Sequence, residues 1–185
     1  MSDRLWTISN VLSLLRLILV LPVWLLLRSD AEEARLAALG LMVAAAATDL
    51  LDGWLARKLG QVTETGKILD PLADKLAIGV VCAALAARGI VPAWFFLAVI
   101  VRDVLILLGG IYVRKTRGLL LQSNYPGKWA AAAVTVYLVE RVALSGDPGG
   151  IGAALLIIAS VMLAVSFVLY LGRFTSICRK PVSAR

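Results

Sequence analysis

Apolar residues come in six long runs separated by short polar breaks: Ile8–Leu27, Arg35–Ala56, Gly66–Ala87, Val91–Val113, Gly127–Leu144 and Ile151–Gly172. Each is near the roughly 20 residues that a helix needs to cross a bilayer. None alternates with period two, so strands are not expected. Lipid offers no partner to a bare peptide group, which makes helix the expected state of each run. The first run does not read as a removable leader: it is too long, Arg16 interrupts it, and no small-residue cleavage site follows. No internal repeat, low-complexity tract or long linker appears. The pattern predicts one domain, 1–185, an all-α integral membrane protein of six transmembrane helices. Gly109–Gly110, Gly149–Gly150 and Ala44–Ala47 read as turns or close helix contacts.

Composition sharpens this picture. The 185 residues are 61% hydrophobic, with a mean hydropathy of +0.89. Soluble domains are about 45–50% apolar. Basic residues then set the orientation. With the N-terminus inside, twelve fall on the inner side (among them Arg57, Lys58, Arg114, Lys128 and Arg173) and four on the outer side, Arg28, Arg35, Arg88 and Arg141. Both termini are therefore expected in the cytoplasm. A net charge of +7 suits nucleic acid, anionic lipid or a phosphorylated substrate. Nucleic acid is not expected, because no aromatic residues interleave the basic runs. Cys82 and Cys178 form no CxxC pair and the chain has no histidine. A zinc site is thus not expected, both cysteines read as free thiols, and acid–base work falls to carboxylates, lysine or tyrosine.

The informative segment is TDLLDGWLARKLGQVTETGKILDPLADK, residues 48 to 75. It places four aspartates at the inner ends of the second and third spans. Carboxylates in a membrane each cost about 2.5–3.5 kcal/mol on insertion scales. On a helix Asp49 and Asp52 share a face, continued by Gly53, Ala56 and Arg57. Asp70 and Asp74 share another, with Gly66 one turn before. If these helices pack side by side, four carboxylates converge and need cations. Oxygen donors without His or Cys suit Mg²⁺ or Mn²⁺, and two such ions form a known clamp for phosphoryl displacement. The small residues leave room for a bulky ligand, and Arg57 suits a phosphate oxygen. A polar helix pair that only supports assembly or conducts ions is the bland alternative.

The segment reads D-x2-D-G-x2-A-R-x8-G-x3-D-x3-D without departure. It resembles the signature of the CDP-alcohol phosphatidyltransferase family. The resemblance implies six helices, a homodimer and a divalent metal pair held by Asp49, Asp52, Asp70 and Asp74, with Asp74 also the base. Gly53, Ala56, Arg57 and Gly66, with Asp49, would line the cytidine diphosphate. It implies a cell-membrane enzyme, active site facing the cytoplasm, that moves a phosphatidyl group from CDP-diacylglycerol to an alcohol and releases CMP. Direct attack and a covalent intermediate both remain open.

Other residues carry weaker signals. Asn10, Ser13 and Arg16 lie along one face of the first span and match an Asn-x2-Ser/Thr-x2-Arg pattern frequent in the family. They are expected to border the nucleotide, a snorkelling arginine being the alternative. Arg102 and Asp103 read either as an internal salt bridge or as part of an acceptor site. Arg114, Lys128 and Arg173 form an inner basic rim, read as positive-inside bias with lipid attraction or as an anionic acceptor pocket. Val101-Arg102-Asp103-Val104 with Tyr112 looks like the cardiolipin-forming type, whose acceptor is phosphatidylglycerol. The Gly-Lys-x-Lys-Thr pattern of glycerophosphate enzymes is half present at Gly127-Lys128. Inositol phosphate or serine as acceptor, and a six-helix transporter, are the rival readings. A transporter would move substrate without releasing CMP.

Overall fold

The computed structural model describes residues 8–59, 66–117, 125–144 and 150–179, with side chains outside the described set at 8–14, 16, 49–72 and 117. All regular structure among the described residues is helical: α1 (Ile8–Leu27), α2 (Glu32–Leu59), α3 (Gly66–Ala87), α4 (Ala93–Arg117), α5 (Tyr125–Ala143) and α6 (Gly150–Arg179). Each apolar run has become one helix, so the all-α expectation holds. Among the described residues two stretches, Ala93–Thr116 and Gly150–Arg179, are long and apolar enough to cross a membrane.

Helix ends follow local chemistry. The start of α2 precedes the apolar run because Glu32 and Glu33 occupy its first turn, where acidic side chains favour the helix dipole. The Ala31 N–H donates to Ser29 Oγ just ahead of it. α3 stops at Gly89, whose φ of 72° suits a residue without Cβ. Ile90 N–H donates to Leu85 O and Gly89 N–H to Ala86 O, both at 3.0 Å, the paired bonds of a Schellman cap. α6 runs on past Gly172 to Arg179. There the Thr175 and Ser176 hydroxyls donate to the Gly172 carbonyl and stay within the helix.

The helices form two units. The first comprises Met1–Ala93 and Leu138–Asp147, the second Trp94–Tyr137 and Pro148–Arg185. In the first, α1 packs against both α2 and α3, burying Leu27, Ala38, Cys82 and Leu85. Two arginines tie its helix ends together. Arg88, just past α3, donates to Leu27 O at 2.7 Å, to Ser29 O at 3.1 Å and to Asp30. Arg35 of α2 donates to Val142 O and Ala143 O at the end of α5 and to Glu32. Carbonyls at helix C-termini lack intrahelical donors, and these guanidiniums supply them. The end of α1, the start of α2 and the ends of α3 and α5 are therefore gathered together, as alternating up and down helices require.

In the second unit α4 and α6 run parallel at a constant offset. Arg102 reaches Ser166 and Tyr170 reaches the Ile106 carbonyl, each pair 64 residues apart. One turn further the Tyr112 and Phe174 rings meet at 6.1 Å. Gly109 makes the Tyr170 contact possible: a Cβ there would lie 2.5 Å from the phenol oxygen. Phe95 of α4 packs edge-on against Tyr137 of α5 at 5.2 Å. The opposite faces stay apolar and exposed, with Leu97, Val101, Leu105 and Leu108 on α4 and Ile151, Ile158, Val161 and Val168 on α6. Such continuous exposure suits lipid contact.

Candidate active site

Asp49, Asp52, Gly53, Ala56 and Arg57 all lie on the continuous helix α2, and Gly66, Asp70 and Asp74 on α3. At 100° per residue, 49, 52, 53 and 56 fall on one face and 66, 70 and 74 on another. Asp49 and Asp52 are about 4.5 Å apart along the axis, Asp70 and Asp74 about 6 Å. Helix α1, carrying Asn10 and Arg16, lies against both of these helices. The three elements that bear the nucleotide and metal candidates thus belong to one packed group.

Asp74 and Lys75 are half-buried beside the buried Ala73, and neither is without a partner. The side chains of Asp49, Asp52, Asp70, Arg57, Asn10 and Arg16 lie outside the described residues. Among the described residues no cluster of three metal-ligating side chains occurs. The donor set itself suits a hard cation. Four carboxylates in helical register, with no histidine in the chain, are the ligands Mg²⁺ and Mn²⁺ prefer.

The acceptor candidates all fall in the second unit. Arg102 bonds Asp103 and Ser166, each at 2.5 Å, so the salt bridge expected from sequence is present. The pair is largely buried, at 11% and 18% exposure. Its Nε is buried without a hydrogen-bond partner, which costs about 1–3 kcal/mol. Arg114 and Arg173 are exposed at the same end of the α4–α6 pair, which the Tyr112–Phe174 contact marks. Lys128 is exposed on the first turn of α5. Arg102 and Arg114 are about 18 Å apart along α4, so the four basic residues are not side by side. Sequence reasoning missed Ser166 and Tyr170. The only signals were a serine and a tyrosine inside an apolar run, at an offset visible only once α4 and α6 are paired.

The CDP-alcohol phosphatidyltransferase family profile matches residues 6–172. The chain is 35% identical to the cardiolipin synthase (CMP-forming) of Streptomyces coelicolor, over 81% of this chain and 71% of that protein. It is 32% identical to a Mycobacterium tuberculosis protein named probable phosphatidylglycerophosphate synthase, over 88% of this chain and 78% of the relative. The human cardiolipin synthase (CMP-forming) is 38% identical over 59% of this chain and 36% of its own length. The match spans all six helices nearly end to end, and the chain belongs to the CDP-alcohol phosphatidyltransferase family.

Proposed function

We propose that this protein transfers the phosphatidyl group of CDP-diacylglycerol to glycerol 3-phosphate or phosphatidylglycerol and releases CMP. The observation that carries this is the aspartate motif on α2 and α3 inside a family match of nearly the whole chain. Relatives bear both the cardiolipin and the phosphatidylglycerophosphate names, and both acceptors are glycerol-based alcohols carrying phosphate. Asp74 accepts the proton of the acceptor hydroxyl. The oxygen then attacks the lipid-side phosphorus, a new P–O bond forms, and the bond to CMP breaks with its electron pair leaving on CMP. Arg57 balances the charge that develops on the diphosphate. Gly53, Ala56 and Gly66 leave space for the nucleotide, and Asn10 and Arg16 border it. Asp49, Asp52, Asp70 and Asp74 would hold two Mg²⁺ or Mn²⁺ ions, which neutralise phosphate charge when bound. Arg102, Arg114, Lys128 and Arg173 recognise the acceptor. The unpartnered Nε of Arg102 supports its share in this.

The same reading makes the chain one domain of six membrane spans in the cell membrane. Both termini and the aspartates face the cytoplasm, and the protein works as a homodimer. The test is CMP release by purified protein from CDP-diacylglycerol and Mn²⁺, with each acceptor supplied separately. Release dependent on one of them establishes the reaction and the acceptor together. EDTA should abolish it and Mn²⁺ or Mg²⁺ restore it. Failure with both acceptors, and with inositol phosphate and serine, would overturn the transferase reading.

A further inference from the structure

At the far end of α2 and α3 from the aspartates, the first unit holds a cavity of about 270 Å³. It is lined by Arg35, Arg88 and Arg141 and by Asp30 and Glu32, with Leu27 among its apolar lining residues. Along α3, Arg88 is about 21 Å beyond Asp74, and along α2, Arg35 is about 25 Å from Asp52. The cavity is therefore separate from the catalytic aspartates.

The charges around it are unevenly placed. Asp30 and Glu32 stand at the rim, 95% and 77% exposed, where water screens them. Arg141 is 7% exposed, held on Glu140, and Arg35 and Arg88 are largely covered. Charges removed from water act over the cavity more strongly than those at its rim. Arg141 is offset by the equally buried Glu140, so the less screened positive charge comes from Arg35 and Arg88, whose partner carboxylates stand in water. Arg35 and Arg88 each make three hydrogen bonds, fewer than a guanidinium can donate. Donors remain for an incoming oxyanion. Beside the cavity, at the end of α1, Arg28 stacks 4.7 Å over Trp24. Arginine and tryptophan together are typical of the headgroup level of a bilayer.

We propose that this cavity binds the phosphate of an anionic phospholipid in the leaflet opposite the catalytic aspartates. The proposal rests on the six-span reading, which brings this end to a membrane surface. Free phosphate shares the chemistry. Its place at the end of α1, beside the Arg28–Trp24 pair and at headgroup level in the six-span reading, favours a lipid over free phosphate.

The test uses the full-length protein in detergent with EDTA present, to remove metal-assisted binding at the aspartates. Short-chain phosphatidylglycerol, phosphatidylcholine of the same chains and inorganic phosphate are titrated separately, and the thermal midpoint is followed. Phosphatidylglycerol should raise the midpoint and the other two should not. Glu32→Gln removes a rim carboxylate while leaving the carbonyl bonds of Arg35 in place, and should tighten binding about threefold. Arg88→Gln should weaken it about tenfold. Opposite signs from two substitutions in one cavity are not expected of a variant that merely misfolds. Equal shifts with phosphate would make it a free-phosphate site, and shifts unchanged in both variants would place the lipid elsewhere. Either result overturns the proposal, as does no shift with phosphatidylglycerol. Orientation is read separately, by thiol labelling of Glu33→Cys, so failure of the six-span reading gives a different result from failure of this site.

Discussion

Asp74 stands one helical turn beyond Asp70 on α3 and two turns beyond Gly66. It is the one motif aspartate whose side chain the structure describes, half-buried next to Lys75. A half-buried carboxylate with partners is well placed to stay fixed while an acceptor hydroxyl approaches. Asp74→Asn keeps the shape and removes the proposed base. It should lower turnover by about 100- to 10,000-fold, while CDP-diacylglycerol binding, measured by equilibrium dialysis, stays close to that of the unchanged protein. Turnover at the original rate would remove Asp74 from the role. The motif is legible in sequence because carboxylates in apolar runs are expensive and their spacing matches helix geometry. Arg35 and Arg88 are less legible. As sequence they read only as outer-side charges, whereas in the fold they cap carbonyls on distant helix ends. Nothing in composition distinguishes a capping arginine from a solvated one.

At the scale of elements, the α4–α6 pair contains one close approach. The Tyr170 hydroxyl donates to the Ile106 carbonyl at 2.9 Å by crossing the space above Gly109. Gly109→Ala puts a methyl into that space. The phenol can swing away, so the expected cost is the hydrogen bond, about 0.5–1.5 kcal/mol, rather than a broken helix. In a Tyr170→Phe background the same alanine should cost measurably less, and thermal unfolding of the four variants would read the coupling. Equal costs in both backgrounds would mean that Tyr170 and Gly109 act independently. Sequence reasoning flags Gly109–Gly110 as a turn or a close contact but not its partner, since Tyr170 is 61 residues further along the chain. The extent of α6 is likewise only partly legible. Arg173 ends the apolar run but not the helix, because backbone hydrogen bonds do not depend on side-chain polarity.

For the whole molecule, the proposed orientation rests on the excess of basic residues at one set of helix ends. The first unit joins the α1–α2 turn, the α3 end and the α5 end through Arg35 and Arg88, as alternating spans require. In a cysteine-free background, Glu33→Cys should react with a membrane-impermeant thiol reagent on right-side-out vesicles. Ser176→Cys should react only on inverted ones. Both positions are exposed, so silence cannot be put down to burial, and labelling of both from one side would reject the odd number of crossings, α2 to α6, that the six-span reading puts between them.

The bond between Arg102 and Asp103 joins neighbours on one helix. Adjacent residues on a helix do not ordinarily face each other, yet here the arginine folds back onto the aspartate. Synthesis delivers the N-terminal part of a chain first, so α4 meets the insertion machinery before Ser166 has been made. A charge pair complete within α4 lets this helix partition into lipid without waiting for α6. Lone charges at mid-span would otherwise oppose insertion by about 2.5–3.5 kcal/mol each. Ser166 then adds a bond to a guanidinium already neutralised. Asp103→Asn should therefore lower the inserted fraction of α4 in a glycosylation-reporter assay, and Ser166→Ala should leave it unchanged. If Asp103→Asn inserts as well as the original helix, the pair matters only after assembly. Neutralisation within α4 makes the order of birth of the helices part of what the Arg102–Asp103 sequence encodes.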